Sequence, residues 1–290
     1  MGFTERNKLE ILKRTSEADE ILGHANMRIK NWIYSGDVAG QVDIGEIAGS
    51  LPLEENGVER MLGVVWEPGR DVFKFVVRIN LSTLKKKSRL GPDISRQELV
   101  ENPPVVVTRR QYYSQVQSLF DPLGLLSPLL LQAKILLRKT WENGNEKLGW
   151  DEALPSDLVQ EMIRFFVELF ELEHVEFPRS LILAEESLGN PDLVVFSDGS
   201  VSAFGSVSYI RWKLKQGGYW TNIILTKSKI APKSRLTIPR LKLNGAVLSK
   251  QLDEFVRSTL NMKFENVYHL VDSSTVLGYL HKSDSKLKTF

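Results

Sequence analysis

Two short apolar runs, each ending in an aspartate, constrain this chain more than any other feature. Leu193-Val194-Val195-Phe196-Ser197 delivers Asp198 and stops at Gly199-Ser200, and the run Val267 to Val271 delivers Asp272 in the same way. A short continuous apolar segment bounded by Gly and Ser reads as a buried strand. Between the two, residues 204–212 and 219–227 read as strands joined by a turn at Gly217-Gly218, and such short connections make an antiparallel meander. A long helix follows from Pro239, with Leu241, Leu248, Leu252, Phe255 and Val256 expected inward. The strand ending at Val271 is reached across that helix, so it lies parallel to the first and beside it. Asp198 and Asp272 are thereby expected on the same end of one sheet, with a further helix over Ser273 to His281.

The earlier part of the chain has a different rhythm. Residues 4–34 carry Leu9, Leu12, Ala18, Ile21, Leu22 and Ala25 at three- and four-residue spacing and read as one or two amphipathic helices, and the Gly- and acid-rich text from Asp37 to Glu55 reads as a loop. A hairpin is expected from Met61 to Trp66 and Asp71 to Val77 around Glu67-Pro68-Gly69-Arg70. Residues 109–120 read as a helix closed by the turn Asp121-Pro122-Leu123-Gly124. Ser127 is expected to cap the next helix, with Pro128 in its first position and Leu129, Ala133, Leu136, Leu137 and Trp141 as its stripe. Another helix starts after Pro155-Ser156, with Leu158, Met162, Phe165, Phe166, Leu169 and Phe170 as core. The fold class is α+β or α/β: a helical region with a hairpin, then a mixed sheet with flanking helices.

Composition removes whole classes of chemistry. With no cysteine among 290 residues, disulfides, thiolate zinc sites and a cysteine nucleophile are excluded, which fits an intracellular protein, cytoplasmic or nuclear. The start, Met1 to Arg6, lacks the apolar core of a signal peptide and is expected to be untargeted, and no apolar run approaches the ~20 residues of a membrane span, so no membrane partner is expected. A formal net charge of +2 neither proves nor excludes nucleic acid. The local basic clusters matter more. Lys85-Lys86-Lys87-Ser88-Arg89 is either a phosphate-contacting loop or a solvated one, and Lys227, Lys229, Lys233 and Arg235 form a second group.

Three strands, a helix, a strand and a helix, with aspartates ending strands one and four, is the order of a ribonuclease H-like domain. Hydrolysis of a phosphodiester with two Mg²⁺ ions needs several carboxylates, because hard cations take oxygen ligands and the two ions sit about 4 Å apart. Asp198 and Asp272 are the candidate ligands, although an aspartate ending a strand is also a common turn or cap residue.

Longer motifs carry a family resemblance. Phe196-Ser-Asp-Gly-Ser-Val-Ser-Ala-Phe-Gly-Ser-Val-Ser-Tyr-Ile-Arg211, Lys227-Ser-Lys-Ile-Ala-Pro-Lys233 and Leu236-Thr-Ile-Pro-Arg-Leu-Lys-Leu243 resemble the ribonuclease H region of BEL/Pao-type retrotransposon Pol polyproteins. Met61-Leu-Gly-Val-Val-Trp-Glu-Pro68 with Asp71, Leu119-Phe-Asp-Pro-Leu-Gly-Leu-Leu-Ser-Pro128, Trp150-Asp151 and Phe177-Pro-Arg179 resemble the stretch those polyproteins carry before it. Residues 16–36 resemble the segment after the polymerase's catalytic strands.

The resemblance implies a transposable-element piece: 1–57 from the end of the reverse transcriptase palm and thumb, 58–185 a connection, and 190–290 a ribonuclease H-like domain truncated at its carboxyl end. It implies RNA–DNA hybrid or other nucleic acid and the rest of the polyprotein as partners, and Mg²⁺ as the ancestral cofactor. It also exposes departures. No Tyr-x-Asp-Asp polymerase motif is present, so DNA synthesis by this chain is not expected. The family's first and third acids fall on Asp198 and Asp272, but its second falls on Lys242, and its fourth is expected beyond Phe290. An ammonium cannot ligate Mg²⁺ and repels it, so metal binding and hybrid cleavage are expected to be impaired, leaving a non-catalytic nucleic-acid-binding relic as the alternative.

Other chemistries fit poorly. The family also carries a peptidase label, yet an aspartic peptidase needs two Asp-Thr/Ser-Gly motifs, which Asp198-Gly199-Ser200 and Asp272-Ser273-Ser274 are not. His24, His174, His269 and His281 have no ligand-like spacing and read as surface or packing residues, Ser200 has no evident base, and no phosphate-binding loop of the Gly-x-x-x-x-Gly-Lys-Ser/Thr kind occurs.

Overall fold

A computed structural model describes residues 8–29, 32, 59–61, 64–82, 84–85, 88–89, 91–142, 147–183, 186–233 and 236–281. In chain order the elements are α1 (Lys8–His24), β1 (Glu59–Met61), β2 (Val64–Glu67), β3 (Val72–Lys74), β4 (Leu84–Lys85), β5 (Ser88–Arg89), α2 (Arg96–Glu101), α3 (Arg109–Gln117), α4 (Ser127–Lys139), α5 (Ser156–Leu169), β6 (Phe177–Pro178), β7 (Asp192–Gly199), β8 (Ala203–Lys213), β9 (Tyr219–Ile230), α6 (Ile238–Thr259), β10 (Val267–Val271) and α7 (Ser274–Leu280). They fall into two compact units, Met1–Val76 with His174–Glu185, and Val77–Glu173 with Glu186–Phe290. The class is the expected one, a mixed sheet flanked by helices.

In the first unit, the strand expected from Met61 to Trp66 is instead β1 and β2, which pair antiparallel. The hairpin proper is β2 with β3, and β6 adds to the far side of β3. Its turn is held by one carboxylate. Asp71, at a positive φ of 53°, accepts from the Trp66 indole at 3.1 Å and from the Arg179 guanidinium, whose Nη2 is 3.0 Å away. Arg179 also lies over the Trp66 ring at 5.4 Å. Two motifs more than a hundred residues apart thus form one cluster, because a planar guanidinium bonds a carboxylate bidentately and stacks on an aromatic face. The loop expected over Asp37 to Glu55 lies outside the described residues.

The second unit holds the larger core. Its sheet runs β10-β7-β8-β9, with β7, β8 and β9 antiparallel and β10 parallel to β7. One sheet face buries Leu193, Val195, Ile210 and Trp212 completely or nearly so, and α6 meets them with Leu241, Leu248, Leu252 and Val256. Each such side chain contributes roughly 1.5–3 kcal/mol by leaving water, and the period of two along the strands against 3.6 along the helix makes the match possible. Phe255, expected inward by spacing, is 49% exposed and receives the Lys227 ammonium over its ring at 5.2 Å.

The helical layer anchors to the sheet through the turn before α4. Asp121 accepts from the backbone N–H groups of Leu125 and Leu126 at 2.9 and 2.7 Å, and Thr226 on β9 donates to the Leu123 carbonyl at 3.0 Å. Ser127 is not the cap. It lies inside α4, its hydroxyl 2.7 Å from that of Ser228, and Leu126 holds the cap position without a side-chain bond. Arg109, 2% exposed, spends its guanidinium on Thr140 and the Leu148 carbonyl and covers the Trp141 ring at 4.2 Å. Arg110 pairs with Asp151 at 2.7 Å, which places the Trp150-Asp151 motif at the foot of α3.

Candidate metal centre and nucleic-acid surface

The parallel register decides what faces what at the sheet end. Val271 is the partner of Ser197, so Asp272 leaves β10 beside Asp198 of β7. Neighbouring strands are about 4.8 Å apart, so the two carboxylates would stand together and repel without a cation between them. Both are largely solvent-facing, with side chains 70% and 62% exposed.

The cation is a lysine. Lys242, in the second turn of α6, donates to both carboxylate oxygens of Asp272 at 2.6 Å and lies 3.3 Å from Asp198 Oδ1. Its side chain is only 19% exposed. Two glycines let α6 approach the strand end. A β-carbon on Gly199 would come within 2.5 Å of the Leu241 carbonyl group and 2.7 Å of the Lys242 nitrogen, and one on Gly245 within 2.7 Å of the Asp198 carbonyl oxygen. Helix backbone and strand end therefore touch, and the Lys242 stem runs from there to the carboxylates.

The electrostatics follow from the contacts. The Lys242 hydrogen bond holds the Asp272 carboxyl below the ordinary aspartate value. In return, the bond to Asp272 raises the Lys242 ammonium against a smaller opposing cost of desolvation, with Asp198 adding to the rise. Asp198 Oδ1 also accepts from the Gly199 N–H at 2.7 Å.

Whether this set suits Mg²⁺ is a question of donors and space. Mg²⁺ demands oxygen ligands at about 2.0–2.1 Å in near-octahedral array. Here an ammonium with no acceptor capacity sits against the oxygens that such an ion would use. Among the described residues no group of three or more His, Asp or Glu side chains could hold a metal. The donors present do not fit a two-metal centre.

A cavity of about 640 Å³ opens beside the carboxylates on the sheet face away from the α6 core, lined by Pro128, Leu131, Phe196, Val207 and Leu270, with Asp198 and Asp272 at its end. Further along that face Arg211 lies over Tyr219 at 4.6 Å and Tyr268 at 5.2 Å while pairing with Asp192 at 2.8 Å. Sequence reading missed this ladder; Arg211, Thr221 and Tyr219 share a face only once the β8–β9 register is known.

The basic candidates separate. Lys227 and Lys229 are exposed on one face of β9, and Lys233 is exposed just after it. Lys85 and Arg89 belong to the two-residue strands β4 and β5, with their side chains outside the described residues, as are Lys86, Lys87 and Arg235 altogether.

One further cluster was not expected. Ser249 Oγ lies 2.6 Å from His269 Nδ1, and His269 Nε2 lies 3.3 Å from Asp253, which Arg257 also binds. Ser249 and Asp253 sit one helical turn apart on α6, so both ring nitrogens dock β10 onto that helix. With Ser249 only 2% exposed, the arrangement presents no nucleophile. His269 is a packing histidine.

Comparison with known proteins places these observations. Residues 108–273, more than half of the 290, match the family described as Pao retrotransposon-like RNaseH-like domain. A solved structure, that of the foamy viral protease-reverse transcriptase dRH in complex with double-stranded DNA, is similar at 13% identity and a TM-score of 0.39, over 80% of this chain and 34% of that one. The chain thus spans about a third of that relative. No curated protein sequence matches.

Proposed function

The chain belongs to the Pao retrotransposon-like RNaseH-like domain family, and from that premise we propose that it is a piece of a retrotransposon reverse transcriptase and ribonuclease H polyprotein that grips nucleic acid without cutting it. The observation that carries this reading is Lys242, whose ammonium closes the space between Asp198 and Asp272. Hydrolysis of RNA in an RNA–DNA hybrid by two Mg²⁺ ions requires oxygen donors where that ammonium stands. The chemistry that such ions supply, a deprotonated water and a stabilised leaving oxygen, therefore has no support from these side chains.

A nucleic-acid partner is supported by charge and by the family. Lys227, Lys229 and Lys233 are exposed on and just after β9, and the Lys85 to Arg89 run and Arg235 are further basic candidates by sequence. Lysines that neutralise phosphates release condensed counterions, which yields affinity without sequence preference. The proposed partners are an RNA–DNA hybrid and the remainder of the polyprotein, met inside the cell in the cytoplasm or nucleus. Among the described residues no helix is long and apolar enough to cross a membrane.

The test is a labelled RNA–DNA hybrid incubated with the full chain in Mg²⁺, in Mn²⁺ and in EDTA. The expected result is binding that weakens steeply with salt, with no hybrid cut in any buffer. Cleavage that disappears in Asp198→Asn would overturn the non-hydrolytic reading, and binding that is absent or indifferent to salt would overturn the grip.

A further inference from the structure

The mismatch between the carboxylate pair and a metal has a consequence that does not depend on nucleic acid. We propose that Lys242 is a tethered counter-ion that takes over the structural work of a bound divalent cation, so that one side chain decides whether the domain is metal-independent or metal-requiring.

β7 and β10 are adjacent and parallel, and each delivers its aspartate at the same level. Two carboxylates so placed repel, and a cation between them relieves that repulsion. Because β10 is an edge strand among the described residues, with four of its five residues exposed, its attachment to β7 and α6 has little apolar burial to draw on. Polar side-chain ties therefore add to its backbone ladder with β7. At its middle residue His269 bonds Ser249 and Asp253; just past its carboxyl end, Lys242 bonds Asp272.

Lys242 is suited to the task because its backbone is held at the strand end. The Gly199 and Gly245 contacts set α6 against that end, and the mostly covered Lys242 stem carries the ammonium from there to the carboxylates. It bonds both oxygens of Asp272 and stays within ion-pair range of Asp198, which makes one cation serve two strands and a helix. A hard divalent ion would link the same two carboxylates. The lysine differs in being covalently attached, present at every metal concentration, and unable to accept a water as ligand. A side chain that ends in oxygen at position 242 reverses this, since its carbonyl or carboxylate joins two aspartates that have lost their cation.

The experiment uses the full chain and reads thermal unfolding and Mn²⁺ binding, the latter by electron paramagnetic resonance. Wild type is expected to melt at one temperature in EDTA and in millimolar Mn²⁺, and to bind no Mn²⁺ at this site. Lys242→Gln is expected to melt lower than wild type in EDTA and to recover part of the loss in Mn²⁺. Lys242→Glu should gain stoichiometric Mn²⁺ binding that wild type lacks, because a third carboxylate replaces the ammonium. Adding Asp198→Asn to Lys242→Glu should abolish that gain. Asp272→Asn gives a second reading: it lowers the melting temperature, because the ammonium loses its partner, and Mn²⁺ does not restore it. Stoichiometric Mn²⁺ binding by wild type that raises its melting temperature and is lost in Asp198→Asn would overturn the proposal. So would Lys242→Gln or Asp272→Asn melting at the wild-type temperature in EDTA. None of these readouts involves nucleic acid, so their outcome is separate from that of the hybrid-binding test.

Discussion

Gly245 on α6 lies against Asp198 on β7 so closely that a β-carbon there would stand 2.7 Å from the Asp198 carbonyl oxygen. That approach brings the helix backbone to the strand end and so positions Lys242. Alanine is worth up to about 1 kcal/mol over glycine in a helix interior, whereas forcing a methyl into packed backbone costs about 1–3 kcal/mol. Gly245→Ala is therefore expected to destabilise on balance. Gly278→Ala in α7, where nothing stands within 4 Å of the added carbon, should stabilise instead by about 0.5–1 kcal/mol. Chemical denaturation of both variants checks the opposite signs.

The turn before α4 depends on a different glycine. Gly124 has a φ of +71°, and a β-carbon there would come within 2.1 Å of the Thr226 carbonyl oxygen on β9. Space and backbone conformation both forbid a side chain, so Gly124→Ala should cost about 2–4 kcal/mol, measured as loss of unfolding free energy. Asp121→Ala, which leaves the Leu125 and Leu126 N–H groups without their acceptor, should cost about 1–2 kcal/mol.

Acid should loosen β10 at both of its carboxylate ties, Asp272 at the strand end and Asp253 through His269 at mid-strand. The Lys242 bond lowers Asp272 below its ordinary 3.8. Burial pushes Asp253 up, but the Arg257 and His269 contacts outweigh it and leave the carboxyl lowered. A carboxyl lowered in the folded state stabilises above its unfolded value and loses that contribution as pH falls through the folded one. Stability should thus decline below a pH of about 4, and Asp272→Asn should flatten part of that decline. Lys242 is raised above its ordinary 10.5, so its contribution is present below that value and fades as pH rises through the higher folded one. Unfolding free energy measured across both ranges in wild type and variant tests the signs.

Replacing Lys227, Lys229 and Lys233 together with alanine should weaken hybrid binding uniformly across sequences. Each phosphate contact contributes about 0.9 to the slope of log affinity against log salt, so the slope should shrink by roughly 2 to 3. Fluorescence anisotropy titrations at several salt concentrations provide the measurement. An unchanged slope would place the nucleic acid elsewhere on the chain.

Much of the sheet was legible because its signals are local. Leu193 to Gly199 and Val267 to Val271 announce strands by composition, and the intervening helix forces the parallel pairing that brings Asp198 and Asp272 together. The substitution at Lys242 was legible as well, through the Pro-Arg-Leu-Lys-Leu text. What it does was not, since the contact of Gly199 with Leu241 and of Gly245 with Asp198 exists only after α6 folds back across the sheet. Phe255 misled for a related reason: its spacing on α6 is that of a core residue, but it falls beyond the edge of the apolar face and lies under Lys227. Ser127 had the right chemistry and position for a cap, and a partner on β9, Ser228, draws its hydroxyl away.

The central claim is that an ammonium, not a metal, joins Asp198 and Asp272. Nuclear magnetic resonance of the isotope-labelled full chain tests it directly, by following the Lys242 ammonium signal and the side-chain carboxyl signals of the two aspartates while Mn²⁺ is added. The account predicts a lysine ammonium protected from exchange with water and no selective paramagnetic broadening of Asp198, Asp272 or Lys242. Selective broadening of these three at low Mn²⁺, with the ammonium exchanging freely, would contradict it.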